Sequence, residues 1–193
     1  KSTGIIQTGA SFSDKNDEIW FVTDKDNEFQ RLATLNLSTK KVIYYTSKIP
    51  WNVENYILSE DKKTIGFVTN EAGLNKMYLM KASDKSYAAV KNIPIGLIGG
   101  GAFTKDNQQL FFTQSTAQTA SDVYKLNLAT GAIQRWTESE LGEMQQSDMA
   151  LPKFIEWKSF DNLKISGFYY PAAAKFIGKR PVLINIHGGP EGQ

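Results

Sequence analysis

The sequence predicts a mainly β protein: three four-stranded β-propeller blades, an incomplete ring, followed by the first strands of a second domain of α/β type. Three observations carry the prediction. A unit of 45 or 46 residues recurs three times, each copy holds about four strand-like runs, and after Thr137 the repeat gives way to a different texture.

The recurrence is read from anchored segments. Phe12-Ser13-Asp14-Lys15 leads into Glu18 to Thr23, Leu58-Ser59-Glu60-Asp61 into Thr64 to Thr69, and Phe103-Thr104-Lys105-Asp106 into Gln109 to Thr113. A later segment repeats in step: Leu35 to Thr39, Met80 to Asp84 and Leu126 to Gly131. In the first unit the expected strands run from Ile5 to Phe12, Glu18 to Thr23, Arg31 to Asn36 and Lys41 to Thr46. The second strand of each unit is apolar at both parities, as in Ile19-Trp20-Phe21-Val22, and is expected to be covered on both faces. Turn residues such as Asn16-Asp17 and Asp106-Asn107 suit positive φ. A β-sandwich also has short strands at short intervals, but it does not explain a common repeat length. Closed rings use about four to eight blades, so three leave the ring open and further blades are expected before Lys1.

Composition narrows the function classes. The 193 residues are 41% hydrophobic and 22% charged with a net charge of +2, which gives no reason to expect a nucleic acid or membrane partner. No apolar run approaches the roughly 20 residues of a bilayer span. With no cysteine and one histidine, disulfides, thiolate chemistry and His-rich metal sites are excluded, and neither cofactor nor metal is expected. The N-terminus has no apolar leader core, and composition assigns no compartment.

After residues 1–137, the partial propeller, residues 138–151 read as an acidic, polar linker, and residues 152–193 as the opening of a second domain. Two strand candidates, Lys153 to Phe160 and Leu163 to Tyr170, are joined tightly by Asp161-Asn162. The third, Val182 to Ile186, is a continuous apolar run expected to be a strand buried on both faces. It breaks into His187-Gly188-Gly189-Pro190, where adjacent glycines free main-chain N–H groups to point at a developing negative charge. This is the His-Gly-Gly pattern that follows a central strand in the α/β-hydrolase fold, where such an N–H helps form the oxyanion hole.

In their order these parts resemble the prolyl oligopeptidase family of serine peptidases, above all its acylaminoacyl-peptidase and dipeptidyl-peptidase-like branches. Phe12-Ser13-Asp14-Lys15 through Ile19-Trp20-Phe21-Val22-Thr23 is similar to that family's blade repeats. The stretch from Phe154 to Pro171 looks like the hairpin that opens its catalytic domain, and Lys179 to Gln193 looks like its oxyanion segment. The resemblance implies a propeller over an α/β-hydrolase domain that admits short peptides. It also implies an oxyanion donor at Gly189, with Gly188 beside it and His187 as turn support, not as the catalytic base. The family's Ser, Asp and His follow the His-Gly-Gly segment, yet there is no Gly-x-Ser-x-Gly here and the one histidine is already placed. The chain is therefore expected to be a serine-peptidase fragment, inactive alone, whose parent takes a peptide substrate. The alternatives are a propeller interaction module and a carboxylesterase-type hydrolase fragment.

Three smaller expectations complete the reading. Glu191 is expected to be solvated and Gln114 to Ser121 to be a mobile solvent loop; Trp20, Trp51, Trp136 and Trp157 are assigned to blade and hairpin core. Open strand edges and bare apolar faces predict self-association.

Overall fold

The computed structural model describes residues 4–186 and divides into two compact units, Lys1–Glu140 and Leu141–Gln193. The first unit is propeller-like: three four-stranded antiparallel sheets, each a simple meander. Blade 1 holds β1 (Gln7–Phe12), β2 (Glu18–Thr23), β3 (Arg31–Asn36) and β4 (Val42–Tyr44). Blade 2 holds β5 (Val53–Leu58), β6 (Thr64–Glu71), β7 (Leu74–Lys81) and β8 (Tyr87–Ala89). Blade 3 holds β9 (Leu97–Phe103), β10 (Gln109–Thr116), β11 (Thr119–Asn127) and β12 (Ile133–Arg135).

Turn chemistry fixes the strand ends. The first turn of each blade places Asn16, Lys62 and Asn107 at φ near +60° (56°, 56° and 57°), one residue per repeat. The turn before each outer strand does the same with Lys40, Lys85 and Gly131 (59°, 61° and 71°). In the first turns Ser59 Oγ donates to Asp61 Oδ1 at 2.6 Å, and Thr104 Oγ1 donates to Asp106. Asn36 and Asn127 each accept two backbone N–H bonds at the later turn. These are side chains that compete with the ladder, and so they stop it. In every blade the register between the first two strands shifts once, at Thr8/Ser11, Val53/Asn55 and Phe112/Gln114.

Each blade buries one face on each neighbour. Trp20, Val22 and Leu32 of blade 1 pack with Ile65, Phe67 and Met80 of blade 2. On the other side of blade 2, Val68 and Met77 pack with Leu110, Phe112, Tyr124 and Leu126 of blade 3. Of the three second strands only β6 is covered at both parities, with Ile65, Gly66, Phe67, Val68 and Thr69 all buried. The expectation of two covered faces for every second strand is thus corrected. On β2 the residues Ile19 and Phe21 remain half-exposed, and on β10 so do Phe111 and Thr113, because an end blade has one neighbour.

The second unit, described by itself, has a 3₁₀ turn at Gln146–Asp148 and a hairpin of β13 (Lys153–Lys158) and β14 (Lys164–Tyr169). Its register runs from Lys153↔Tyr169 to Lys158↔Lys164 around a turn with Asn162 at φ +66°. The hairpin forms because each strand finds its hydrogen-bond partner next to it in sequence. The expected third strand is corrected: Val182 to Ile186 forms no strand, and Val182, Leu183, Ile184 and Ile186 are 84%, 93%, 78% and 84% exposed. A strand buried on both faces exists only when neighbours pair with its edges and cover its faces. Among the described residues nothing pairs with this run.

Candidate functional site

His187, Gly188, Gly189 and Glu191, the residues singled out from the sequence, lie outside the described residues. The described chain leads up to them through the exposed run Val182 to Ile186. Among the described residues the polar groups gather in three places.

The first is the β6–β7 hairpin end. Ala72 and Gly73 take positive φ (53° and 92°), which brings Glu71 back over its own strand pair. Its carboxylate accepts bonds from Lys76 Nζ and Tyr78 Oη, both at 2.5 Å, and from Thr69 Oγ1 at 3.1 Å. Burial alone pushes the Glu71 carboxyl up, but the Lys76, Tyr78 and Thr69 contacts outweigh it and hold the group below the usual carboxylate range. Burial and the Glu71 carboxylate together push the Tyr78 phenol well above its ordinary value.

The second joins blades 2 and 3. Glu54 on β5 accepts from Asn70 Nδ2 at 3.2 Å and Asn75 Nδ2 at 3.0 Å, while Asn75 Oδ1 accepts the Ile98 N–H of β9 at 2.9 Å. The third is Asp122 on β11, wholly buried. It accepts from Arg135 Nε and Nη2 at 3.1 and 2.7 Å, Thr137 Oγ1 at 3.1 Å, and Ser139 N and Oγ at 2.7 and 3.0 Å. Burial would raise this carboxyl, and the bonds from Ser139, Arg135 and Thr137 more than reverse that. Through Asp122 the chain after the last blade strand is fastened to the blade as far as Ser139.

Chemically these clusters are saturated. Each carboxylate accepts from donors of its own fold, among them the Thr69 and Tyr78 hydroxyls at Glu71 and the Thr137 and Ser139 hydroxyls at Asp122. Among the described residues no group of three His, Cys, Asp or Glu side chains is placed to hold a metal ion. Among the described residues two buried side-chain polar atoms have no hydrogen-bond partner, Arg31 Nε and Gln114 Oε1.

Two readings of individual segments change. Gln114 to Ser121, expected as a solvent loop, is the β10–β11 hairpin: Gln114 is wholly buried with Nε2 donating to Pro94 O, and Thr116 Oγ1 closes the tip against Thr119 Oγ1 at 2.8 Å. Of the four tryptophans only Trp20 is core; Trp51, Trp136 and Trp157 are exposed, the first two on connecting segments outside the strands and the third on β13, none of whose residues is buried. Sequence reading missed the Asp122 cluster. The available signal was parity, since Asp122 shares a β11 face with Tyr124 and Leu126, where an unpaired charge would not be tolerated.

The geometry defines a class first: stacked propeller-type blades with a β-hairpin unit after them. No family model and no curated protein matches the sequence. Among solved structures the chain is similar to prolyl oligopeptidase B from Galerina marginata, at 12% identity and a TM-score of 0.68, covering 86% of this chain and 23% of that one. It is also similar to a puromycin-hydrolyzing peptidase of Mycobacterium tuberculosis, at 8% identity and a TM-score of 0.69, covering 86% of this chain and 26% of that one. TolB from Acinetobacter baumannii matches at 17% identity and a TM-score of 0.56, over 86% of this chain and 44% of that one. The chain therefore spans about a quarter of the length of these peptidases and less than half of TolB. It shares its fold with prolyl oligopeptidase-family peptidases over most of its length, and with TolB as well.

Proposed function

We propose that the chain is a segment of a prolyl oligopeptidase-family serine peptidase, comprising three blades, a linker and the opening of the α/β-hydrolase domain. The observation that supports this is the order of parts: blades with the fold of prolyl peptidases, then a hairpin, then the His187-Gly188-Gly189 segment. In this reading a serine elsewhere in the parent attacks a peptide carbonyl. As its oxygen bonds to the carbonyl carbon, its proton passes to the parent's histidine base and the carbonyl π pair moves onto the carbonyl oxygen. The Gly189 N–H donates to that oxyanion, a contact typically worth about 2.7 to 4 kcal/mol of transition-state stabilisation. Gly188 allows the backbone to turn, and His187 braces it. The blades restrict access to short peptides.

The 193 residues contain no elbow serine, so the chain by itself is inert in this reading. A fluorophosphonate probe, which reports activated serines, is expected to leave the purified chain unlabelled and to label the parent. Stoichiometric labelling of a serine in the chain, or a parent without a reactive serine, overturns the proposal. The TolB likeness favours a second reading, a propeller interaction module whose trailing segment is structural. That reading requires a parent that the probe leaves untouched.

A further inference from the structure

Residues 138–151 read as one polar linker in the sequence, yet the structure fastens the stretch near both of its ends. At the first end the chain leaving β12 lies along blade 3 as a strap. Trp136 N and Thr137 N donate to Val123 O at 2.7 and 3.3 Å, and Thr137 Oγ1 accepts the Val123 N–H at 2.9 Å. Ser139 then donates both its N–H and its hydroxyl to Asp122 Oδ1. Arg135 Nε holds the strap as well, donating to Thr137 O at 3.1 Å and to the Asp122 carboxylate.

This clasp is not part of the repeat. Blades 1 and 3 share the threonine, since Thr46 Oγ1 accepts the Leu32 N–H at 3.0 Å as Thr137 Oγ1 accepts that of Val123. They differ at the carboxylate. The place of Asp122 is taken by Arg31 in blade 1 and Lys76 in blade 2, and that of Arg135 by Tyr44 and Ala89. The chain leaving blade 1 is taken up by blade 2, with Ile49 in the shared core and Val53 N donating back to Gln30 O at 2.9 Å. Among the described residues the buried carboxylate thus stands where the polypeptide leaves the blades for another unit.

At the second end the 3₁₀ turn Gln146–Asp148 is tied within its own unit, Asp148 Oδ1 accepting from Lys175 Nζ at 2.7 Å. Within residues 140–145, between the two fastenings, the one described hydrogen bond is Met144 N to Leu141 O at 3.3 Å, and none of the six residues is buried. Gly142 turns the chain there at φ +63°, with open space where a Cβ would stand. Exposed backbone with few bonds is where a chain opens most readily.

We propose that residues 140–145 form a pivot between the two units and that Asp122 is the positioning residue that fixes where it begins. Burial sets how sharp each border is. Asp122 is wholly buried and Arg135 is 23% exposed, so opening the clasp strands a desolvated charge, and the border at Ser139 is abrupt. Lys175 and Asp148 are 55% and 36% exposed, where an ion pair contributes little, so the far border frays. The pivot lies inside the chain and does not depend on the peptidase reading.

Amide hydrogen exchange, followed by NMR on the 193-residue chain at neutral pH, tests the border directly. The Ser139 amide is expected to be protected at least about a hundredfold relative to unstructured chain, and residues 141–145 less than about tenfold. A glutamate-specific protease is expected to cut after Glu140 and Glu143 and to spare Glu138. Asp122→Asn adds the cut after Glu138 while Glu54 and Glu71, on blade strands, stay intact. Should that variant unfold and be cut at the blade sites, Ser139→Ala takes its place, with the amide at position 139 about tenfold less protected than in the wild type. The proposal is overturned by a Ser139 amide that exchanges as fast as residues 141–145, or by protection running unbroken through them. Cutting after Glu138 in the wild type overturns it too, as does a folded Asp122→Asn or Ser139→Ala that leaves the border unchanged.

Discussion

Asp122 shows how much one side chain can decide. Wholly buried, it stays ionised because five donor contacts replace the water it lost. Asp122→Ala leaves Arg135 without its carboxylate and releases Thr137 and Ser139. Breaking one partner of a buried pair costs about 3 to 5 kcal/mol, and because Arg135 is 23% exposed the lower end applies, about 3 kcal/mol by urea unfolding. Its depressed pKa also sets a pH dependence. A carboxyl held below its unfolded value contributes stability that is complete above about pH 5 and is lost as pH falls through the folded value. Glu71 acts in the same direction. The urea midpoint is therefore expected to stay level from neutral pH to about 5 and to drop below it, with a smaller drop in Asp122→Asn. A midpoint that holds level well below pH 4 in the wild type contradicts this assignment. Tyr56 makes a smaller tie, its hydroxyl donating across the blades to Trp20 O at 2.7 Å and Ser11 Oγ at 3.2 Å. Tyr56→Phe is expected to cost about 1 kcal/mol.

Among the elements, β9 tests how closely strands approach. A Cβ added at Gly101 would overlap the carbonyl oxygen of Phe111 on β10, a backbone atom that cannot swing aside, whereas one at Gly100 meets nothing within 4 Å. Gly101→Ala should destabilise by about 1 to 3 kcal/mol through overpacking, while Gly100→Ala is neutral or slightly stabilising, in a paired thermal melt. Strand positions were widely legible. Glu18–Thr23 and Arg31–Asn36 lie where the repeat and its turn residues put them, because positive-φ turns and hydroxyl–carboxylate caps are local devices. Val182 to Ile186 was not legible in the same way. Its apolar run is a statement about neighbours it requires, and a run does not supply them.

At the scale of the whole molecule the blades behave as a short stack in which stability comes from nearest-neighbour contacts. The same repeat position has a different worth in each copy. Phe67→Ala opens a cavity between blades 1 and 2 and is expected to cost about 3 to 5 kcal/mol, while Phe21→Ala, at a partly exposed position, costs about 1 kcal/mol. Equal costs by urea unfolding would contradict this difference in burial between Phe21 and Phe67.

By itself the sequence determined the repeat, the strands within it, the turns that end them and the prolyl-oligopeptidase-like order of parts. All of these depend on residues close together in the chain or on identities that recur at a fixed spacing. Only the tertiary structure decided which faces are filled, which tryptophans are core, and that Asp122 clasps the chain after the blades. Those outcomes depend on what stands across a sheet face or at a strand edge, where burial sets whether an apolar side chain stabilises and whether a charge survives. The His187-Gly188-Gly189 segment lies outside the described residues, and the oxyanion role proposed for it rests on the surroundings that a folded hydrolase sheet would give it.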